Sequence, residues 1–434
     1  MSILSKIIAF SLLCLTTLYA MGNDSKALHW LDAKTEFFHE KIFANISLPQ
    51  GRRGAMVAAQ KSNTGPDYQY HWVRDAGVVM ITLIDSYQNA QDDAHKDYFR
   101  RIITDYVEFS TYIQNMPTEA DLGEPKFELN GVPYKLPWGR PQNDGPSLRA
   151  ISLIHWANVL LAEQNDQMVY EKLYNNKFPA TTPIKKDLEY ISHHWKDASY
   201  DIWEETKGTH FYTLMVIRRA LLEGSKLAER LNDNGAAAWY HSQAKQIELE
   251  LEHFWDEKNG YIKATINRVD GIDYKLSNLD TAVILGLLHG GMHDEFLSWD
   301  NPKVIATLNK LTAVFKAIYP INQLSIPGVA IGRYPEDRYS GDTFEGGNPW
   351  PLCTLAVAEA WYQYAALLKE RGIDSRVVVA TADKLVERVK YHAYKDGSLD
   401  EQIDRSSGYM TSAHNLTWNY AALLTTKQAA LEVD

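Results

Sequence analysis

Residues 210–231 read HFYTLMVIRRALLEGSKLAERL, and Leu214, Ile217, Leu221, Gly224, Ala228 and Leu231 recur in this run at spacings of three and four. That period puts one apolar stripe along an α-helix. Thr209 is placed to cap its start, and Asn232-Asp233-Asn234-Gly235 supplies a stop. A glycine on the stripe, Gly224, implies a close helical neighbour. A second clear case opens at Asn348-Pro349 and continues through Leu355, Ala358, Trp361, Ala365 and Leu368 to Gly372. Working outward, the same period predicts helices near 26–46, 75–90, 96–115, 146–164, 183–197, 235–255, 278–289, 301–317, 374–391 and 412–430.

The connections alternate in kind. Those near 91–95, 165–182, 232–235, 290–300 and 372–374 read as plain turns, whereas 47–74, 116–145, 198–209, 256–277, 318–349 and 392–411 are mostly long, aromatic and rich in Gly and Pro. If consecutive helices run antiparallel, all six elaborate loops emerge at one end, where binding and catalytic groups are expected. Twelve helices in six hairpins predict an all-α closed ring of helix pairs. An open solenoid would show a repeat of roughly 34 residues, and no such repeat is present.

The 434 residues, 45% hydrophobic and 23% charged, can bury a large core, which excludes a disordered or fibrous chain. A net charge of −11 argues against nucleic acid or an anionic membrane as partner. Neutral substrates fit better, and 12 Trp with 25 Tyr suit either a thick core or a site that stacks on sugar or base faces. Lys6, the apolar run 7–20 and polar Asn23-Asp24-Ser25 have the layout of a secretory signal peptide. Residues 1–20 are therefore expected to be removed, taking Cys14 with them, with no membrane association afterwards. Cys353 is then alone, so no internal disulfide is expected, and a buried small side chain is its simplest role.

The chain has no GxGxxG, P-loop, GxSxG or HExxH, so the simplest dinucleotide, phosphate, serine-hydrolase and zincin readings lack support. His289 and His293 flank Gly290-Gly291, a poor context for a helical metal pair, and neither metal nor cofactor is expected. The distinctive feature is carboxylates among aromatics inside the long loops. Tyr68 to Asp75, Trp138 to Gly145, Tyr200 to Glu205 and Leu399 to Asp404 each combine them. Any one of these segments alone reads as a surface ion pair or a solvated acidic loop. Four on one face suggest glycosidic-bond hydrolysis, which needs one protonated and one ionised carboxyl across the bond, and rings to stack the sugar.

The chain resembles the glucoamylases of glycoside hydrolase family fifteen from about Leu28 to about Leu424. The resemblance is carried by DYQYHWVRDAG from Asp67, LGEPKFELNG from Leu122, PWGRPQNDGPSLRA from Pro137, DLEYISHHWKDASYDIWEETKG from Asp187, GRYPEDRY from Gly332, GNPWPLCTLA from Gly347, and LDEQIDRSSG with LTWNYAALLT near the end. It implies an (α/α)6 barrel with a funnel-shaped pocket. Residues 21–434 would form one catalytic domain without a starch-binding module.

The resemblance also implies roles. Glu204 would be the general acid and Glu401 the general base. Tyr68, Trp72, Arg74, Asp75, Arg333, Trp418 and the Trp203-Glu204 backbone would surround the terminal glucose, with Tyr68 helping to hold the attacking water. Trp138 would bring its indole to the general acid, with Asp201 and Glu205 nearby, and Glu205 and Trp350 would line the next sugar position. The implied reaction is inverting release of β-glucose from α-1,4-linked, and more slowly α-1,6-linked, glucans and maltooligosaccharides by a monomer. Two alternatives are an α-glucosidase of this fold with another short glucosyl substrate, and a barrel that binds carbohydrate without turnover. Three features depart from the fungal pattern: a longer segment 340–347 at the rim, no starch-binding module after Leu424, and a weak match over 248–325 outside KLSNLDTAVILGLLHG; the sequons at Asn23, Asn45 and Asn415 read as ordinary polar residues.

Overall fold

A computed structural model describes residues 25–61, 65–292, 294–341 and 343–434. Its helices, in chain order, are α1 Lys26–Ala33, α2 Thr35–Phe43, α3 Val73–Asn89, α4 Asp93–Ile113, α5 Asp144–Ala162, α6 Asp166–Lys172 and α7 Pro183–His194. They continue as α8 Phe211–Arg230, α9 Asn234–Leu251, α10 Ala282–Gly290, α11 Pro302–Ile318, α12 Pro351–Glu370, α13 Arg376–His392 and α14 Thr417–Val433. Helices α3, α5, α8, α10, α12 and α14 each touch the next, and α14 returns to α3, closing an inner ring. The remaining long helices pack outside it, α4 on α3, α7 on α5, α9 on α8 and α13 on α12. This is the expected (α/α)6 barrel.

Burial separates the two layers. Inner α5 is buried on nearly every side, whereas outer α4 buries the stripe of Phe99, Ile103, Tyr106, Val107 and Ser110 and turns charged residues to solvent. Gly224 of α8 meets α7 as anticipated. A Cβ there would fall 2.5 Å from Leu188 Cδ1, inside any real contact distance.

Several boundaries differ from the sequence reading, each for a local reason. Thr209 lies in a strand, and α8 begins at Phe211 after His210. Asn348 does not cap α12. Its side chain donates to Gln402 and accepts from the Arg405 N–H, and Pro351 rather than Pro349 occupies the first turn. The stretch 26–46 breaks into α1 and α2 at Lys34, the connection 165–182 contains α6, and 412–414 belong to a strand. Helix α10 starts at Ala282, whose N–H is taken by the Asp280 carboxylate at 2.7 Å.

The long loops carry short antiparallel ladders. β1 His71–Trp72 pairs with β2 Lys126–Phe127, and β3 Ser199–Tyr200 pairs with β4 Thr206–His210, which also pairs with β7 Thr265–Gly271. β5 Trp255–Asp256 joins β6 Tyr261–Ile262, and β8 Asp400–Ile403 joins β9 Met410–His414. These ladders stiffen the loops at one end of the barrel. Cys353 is buried and free. Residues 1–20, with Cys14, lie outside the described residues, as do Asn23 and His293. Asn45 and Asn415 are buried and hydrogen-bonded to each other's surroundings, so neither presents a side chain to solvent.

Candidate active site

A cavity of about 550 Å3 opens among the long loops, lined by residues of five of the six. It brings together Tyr68, Trp72, Arg74, Asp75, Trp138, Trp203, Glu204, Glu205, Arg333, Trp350, Glu401 and Trp418. These are the expected site residues except Asp201.

Glu204 sits on the turn between β3 and β4 with φ +65°, in the left-handed region that a residue with a Cβ enters at a cost of about 1–2 kcal/mol. The turn is held by its own amides. The Glu204 N–H donates to the Asp201 carbonyl at 2.9 Å, and the Asp201 Oδ1 accepts from the N–H groups of Glu205 and Thr206 at 2.8 and 3.1 Å. Asp201 thus points beneath the turn and not into the cavity, which corrects the expectation that three acids share the pocket. Burial alone would raise its carboxyl, but Lys275 and these amide donors hold it below the ordinary range.

The Glu204 side chain is gripped on one oxygen. Oε1 accepts from Trp72 Nε1 at 2.8 Å and Gln142 Nε2 at 2.9 Å, with Arg74 Nη2 at 3.7 Å. It is therefore Trp72, not Trp138, whose indole N–H reaches this carboxyl. Trp138 stands edge-on to Trp72 at 6.1 Å, and its buried Nε1 has no protein partner. Gln142 is oriented in turn by Gly139 and Arg74.

Glu401 comes from β8, nearly fully buried. Its Oε2 accepts from Gln402 Nε2 at 2.9 Å and from the Ser412 hydroxyl on β9, and the Tyr68 hydroxyl is a further partner. Burial pushes the Glu401 carboxyl up to about 7, against the pull of Ser412, Tyr68, the Arg333 charge and Gln402. Tyr68 also bonds Tyr339 at 2.7 Å.

Around these two carboxyls lie the other groups. Arg74 and Asp75 approach to 3.3 Å, yet neither Arg74 Nε nor Asp75 Oδ2 has a hydrogen-bond partner, and burial raises Asp75 to about 6 despite the guanidinium. Arg333 is fixed by Asp337 and by Glu205, whose second oxygen accepts from Tyr334 at 2.6 Å. Glu205 therefore spends both oxygens on protein, and burial raises its carboxyl in spite of Arg333. Trp203 donates to Asp280 at 3.0 Å, Trp350 tilts against Trp203 with an unpartnered Nε1, and Trp418 packs on His289. His289 itself hydrogen-bonds Tyr212 at 3.0 Å, a structural role. Gly341 and Phe344 reach the cavity rim from the 340–347 segment.

The sequence reading assigned no role to Gln142, Ser412 or Lys126. Gln142 and Lys126 lie inside the quoted motifs, but their roles depend on contacts across loops. Lys126 Nζ rests among Tyr70, Trp72, Tyr134 and Trp138, 3.7–4.5 Å from the four ring centroids. Burial lowers its ammonium to about 8, partly offset by Glu204. Ser412 has φ +73° on a weakly patterned strand that the sequence assigned to a helix. Among the described residues no group of three or more His, Cys, Asp and Glu could hold a metal ion.

Four unspent buried polar atoms, Arg74 Nε, Asp75 Oδ2, Trp138 Nε1 and Trp350 Nε1, belong to side chains of this cavity. Such atoms suit a ligand rich in hydroxyls. Residues 34–428 match the family model described as Glycosyl hydrolases family 15. The glucoamylase of Blastobotrys adeninivorans is 33% identical over 96% of this chain and 74% of its own length. Glucoamylase 1 of Rhizopus oryzae is 32% identical over 95% and 72%. The solved glucoamylase from Saccharomycopsis fibuligera superposes with a TM-score of 0.83 at 27% identity, covering 94% of this chain and 96% of that one. The chain belongs to the family 15 glycosyl hydrolases.

Proposed function

We propose that this glycoside hydrolase is an exo-acting, inverting glucoamylase that releases β-glucose from the non-reducing ends of α-1,4-linked, and more slowly α-1,6-linked, glucans and maltooligosaccharides. The observation that carries the reading is the pairing of Glu204 and Glu401 in one cavity with opposite surroundings. Glu204 is clamped on Oε1, leaving Oε2 to hold a proton for the glycosidic oxygen. Glu401 has hydroxyl neighbours, Ser412 and Tyr68, suited to orienting a water.

In the proposed step Glu204 gives its proton to the glycosidic oxygen as the bond to C1 breaks. A water attacks C1 from the opposite face and passes a proton to Glu401. The products are β-glucose and the shortened chain, and solvent takes the proton from Glu401 and restores one to Glu204. Arg74, Asp75 and Arg333 hold hydroxyls of the terminal sugar, Trp203 and Trp418 wall its faces, and Trp350 lines the next sugar position. The unspent indole of Trp138 serves the sugar beyond the scissile bond. The net charge of −11 suits a neutral polysaccharide substrate and the leader-like residues 1–20 support export, and 21–434 is read as one catalytic domain acting as a monomer. No described helix is long and apolar enough to cross a membrane.

The test uses two substrates. On maltotriose both Glu204→Gln and Glu401→Gln lose on the order of 100- to 10,000-fold in kcat. On α-glucosyl fluoride, whose leaving group needs little protonation, Glu204→Gln keeps most of its rate and Glu401→Gln does not. The reverse pattern would exchange the two roles. Anomeric proton NMR before mutarotation shows β-glucose first, and initial α-glucose would falsify the inverting assignment.

A further inference from the structure

The run KLSNLDTAVILGLLHG, the part of 248–325 that matches the family, opens with a cation buried beneath the Glu204 turn. Lys275 follows β7 and is 4% exposed. Its Nζ lies 2.5 Å from Asp280 Oδ2 and 3.4 Å from Asp201 Oδ2, and 4.4 Å from the centre of the Tyr334 ring. Each partner leads to the site by a separate route. Asp201 caps the strained turn through the amides of Glu205 and Thr206. Asp280 accepts from Trp203 Nε1 at 3.0 Å and from the first amide of α10 at 2.7 Å, tying the turn to the inner ring. Tyr334 donates to Glu205 at 2.6 Å.

Without the ammonium, two buried carboxylates would face each other, and one would have to protonate or move. Either response loosens the turn: a protonated Asp201 is a weaker acceptor for two amides, and a displaced Asp280 releases Trp203. The left-handed backbone at Glu204 persists only while its surroundings over-determine it. From β7 the segment is anchored to the same turn, since the Ile272 N–H donates to the Glu205 carbonyl at 3.0 Å. Lys275 does not line the cavity, so it acts on the substrate only through the residues it holds.

We propose that Lys275 is a positioning residue for the reaction: its ammonium, bridging Asp201 and Asp280, fixes the left-handed turn that aims Glu204 at the glycosidic oxygen. The inference rests on Glu204 being the general acid. A misplacement of about 1 Å costs on the order of 100-fold in rate.

The test compares Lys275→Met, Asp280→Asn and Glu204→Gln with the parent on maltotriose and on α-glucosyl fluoride, each normalised to folded protein by near-ultraviolet circular dichroism. Lys275→Met should lose roughly 10- to 100-fold in kcat on maltotriose, with KM within about threefold, and much less on the fluoride, because only proton delivery is impaired. Asp280→Asn keeps volume and an acceptor for Trp203, so it serves if Lys275→Met does not fold, and it should show the same split in milder form. Equal losses on both substrates, or none on either, for whichever of these variants folds would overturn the proposal. Glu204→Gln reports separately on the premise. If that variant shows no split, the assignment of the acid is at fault, and if it does while the Lys275 and Asp280 variants do not, the positioning role is.

Discussion

The two carboxyls of the site are mounted in contrasting ways. Glu204 rides a strained turn whose geometry is enforced by buried charges below it, Asp201, Lys275 and Asp280. Glu401 lies at the register shift of the bulged β8–β9 hairpin, where its hydrogen-bond partners are the neutral hydroxyl and amide donors of Ser412, Tyr68 and Gln402. A proton donor must point at one atom of the substrate, so its direction is fixed by backbone and ion pairs. A base working through a mobile water needs its proton affinity adjusted, so it is dressed with polarisable hydrogen bonds.

Substitutions at each mount should separate direction from affinity. Replacing either carboxyl itself has the largest effect, the losses given above for Glu204→Gln and Glu401→Gln. Next, Asp201→Ala removes the acceptor for two turn amides, and kcat on maltotriose should fall by about 100-fold while the shape of the acid limb of kcat/KM is unchanged. A shifted acid limb in Asp201→Ala would mean that the two mounts are not independent.

On the other mount, Ser412→Ala deletes a donor that favours the ionised form of Glu401. Burial is then less opposed, the carboxyl titrates higher, and the acid limb of kcat/KM moves to higher pH by about one unit. The sign follows because a base is lost on protonation, and a raised pKa brings that loss on at higher pH. A limb displaced to lower pH, or unmoved, would show that Ser412 does not tune Glu401. The smallest effect on turnover is expected far from both carboxyls. Gly224→Ala overpacks α8 against Leu188 of α7 and should lower stability by about 1–3 kcal/mol in urea unfolding, with kcat per folded molecule intact.

The same contrast explains what the sequence disclosed. Helical periodicity places most of the long helices, because each has a burial stripe or is apolar throughout, and the alternation of plain and elaborate loops points to the working end, whereas the inner and outer layers follow from contacts between helices. The segments that hold Glu204 and Glu401 stand out because aromatic and acidic residues crowd there, and the family resemblance singles out the two residues within them. The roles of Lys275 and Ser412 are not visible there, because Asp201 lies 74 residues from the first and Glu401 11 residues from the second, and both contacts arise from turns and strand pairing. Periodicity also misread 412–414, where five residues of β9 precede the cap of α14 and leave no room for a 3.6-residue pattern to declare itself. The family resemblance puts Asp201 near the general acid, but Glu204 is itself left-handed and Asp201 turns its Oδ1 to the amides of Glu205 and Thr206, away from the cavity.

The closure of the inner ring has a consequence for when the enzyme becomes active. Helix α14 packs on α2 and α3, and the side chain of Asn45 is bonded to Asn415 and Thr417, some 370 positions later. Trp418, a wall of the catalytic cavity, stands on that same helix. During synthesis the opening helices must therefore wait, with one apolar flank uncovered, until Thr417–Val433 has emerged. Hydrolytic competence thus arrives late, when Thr417–Val433 docks against the helices of Lys26–Ala33 and Thr35–Phe43.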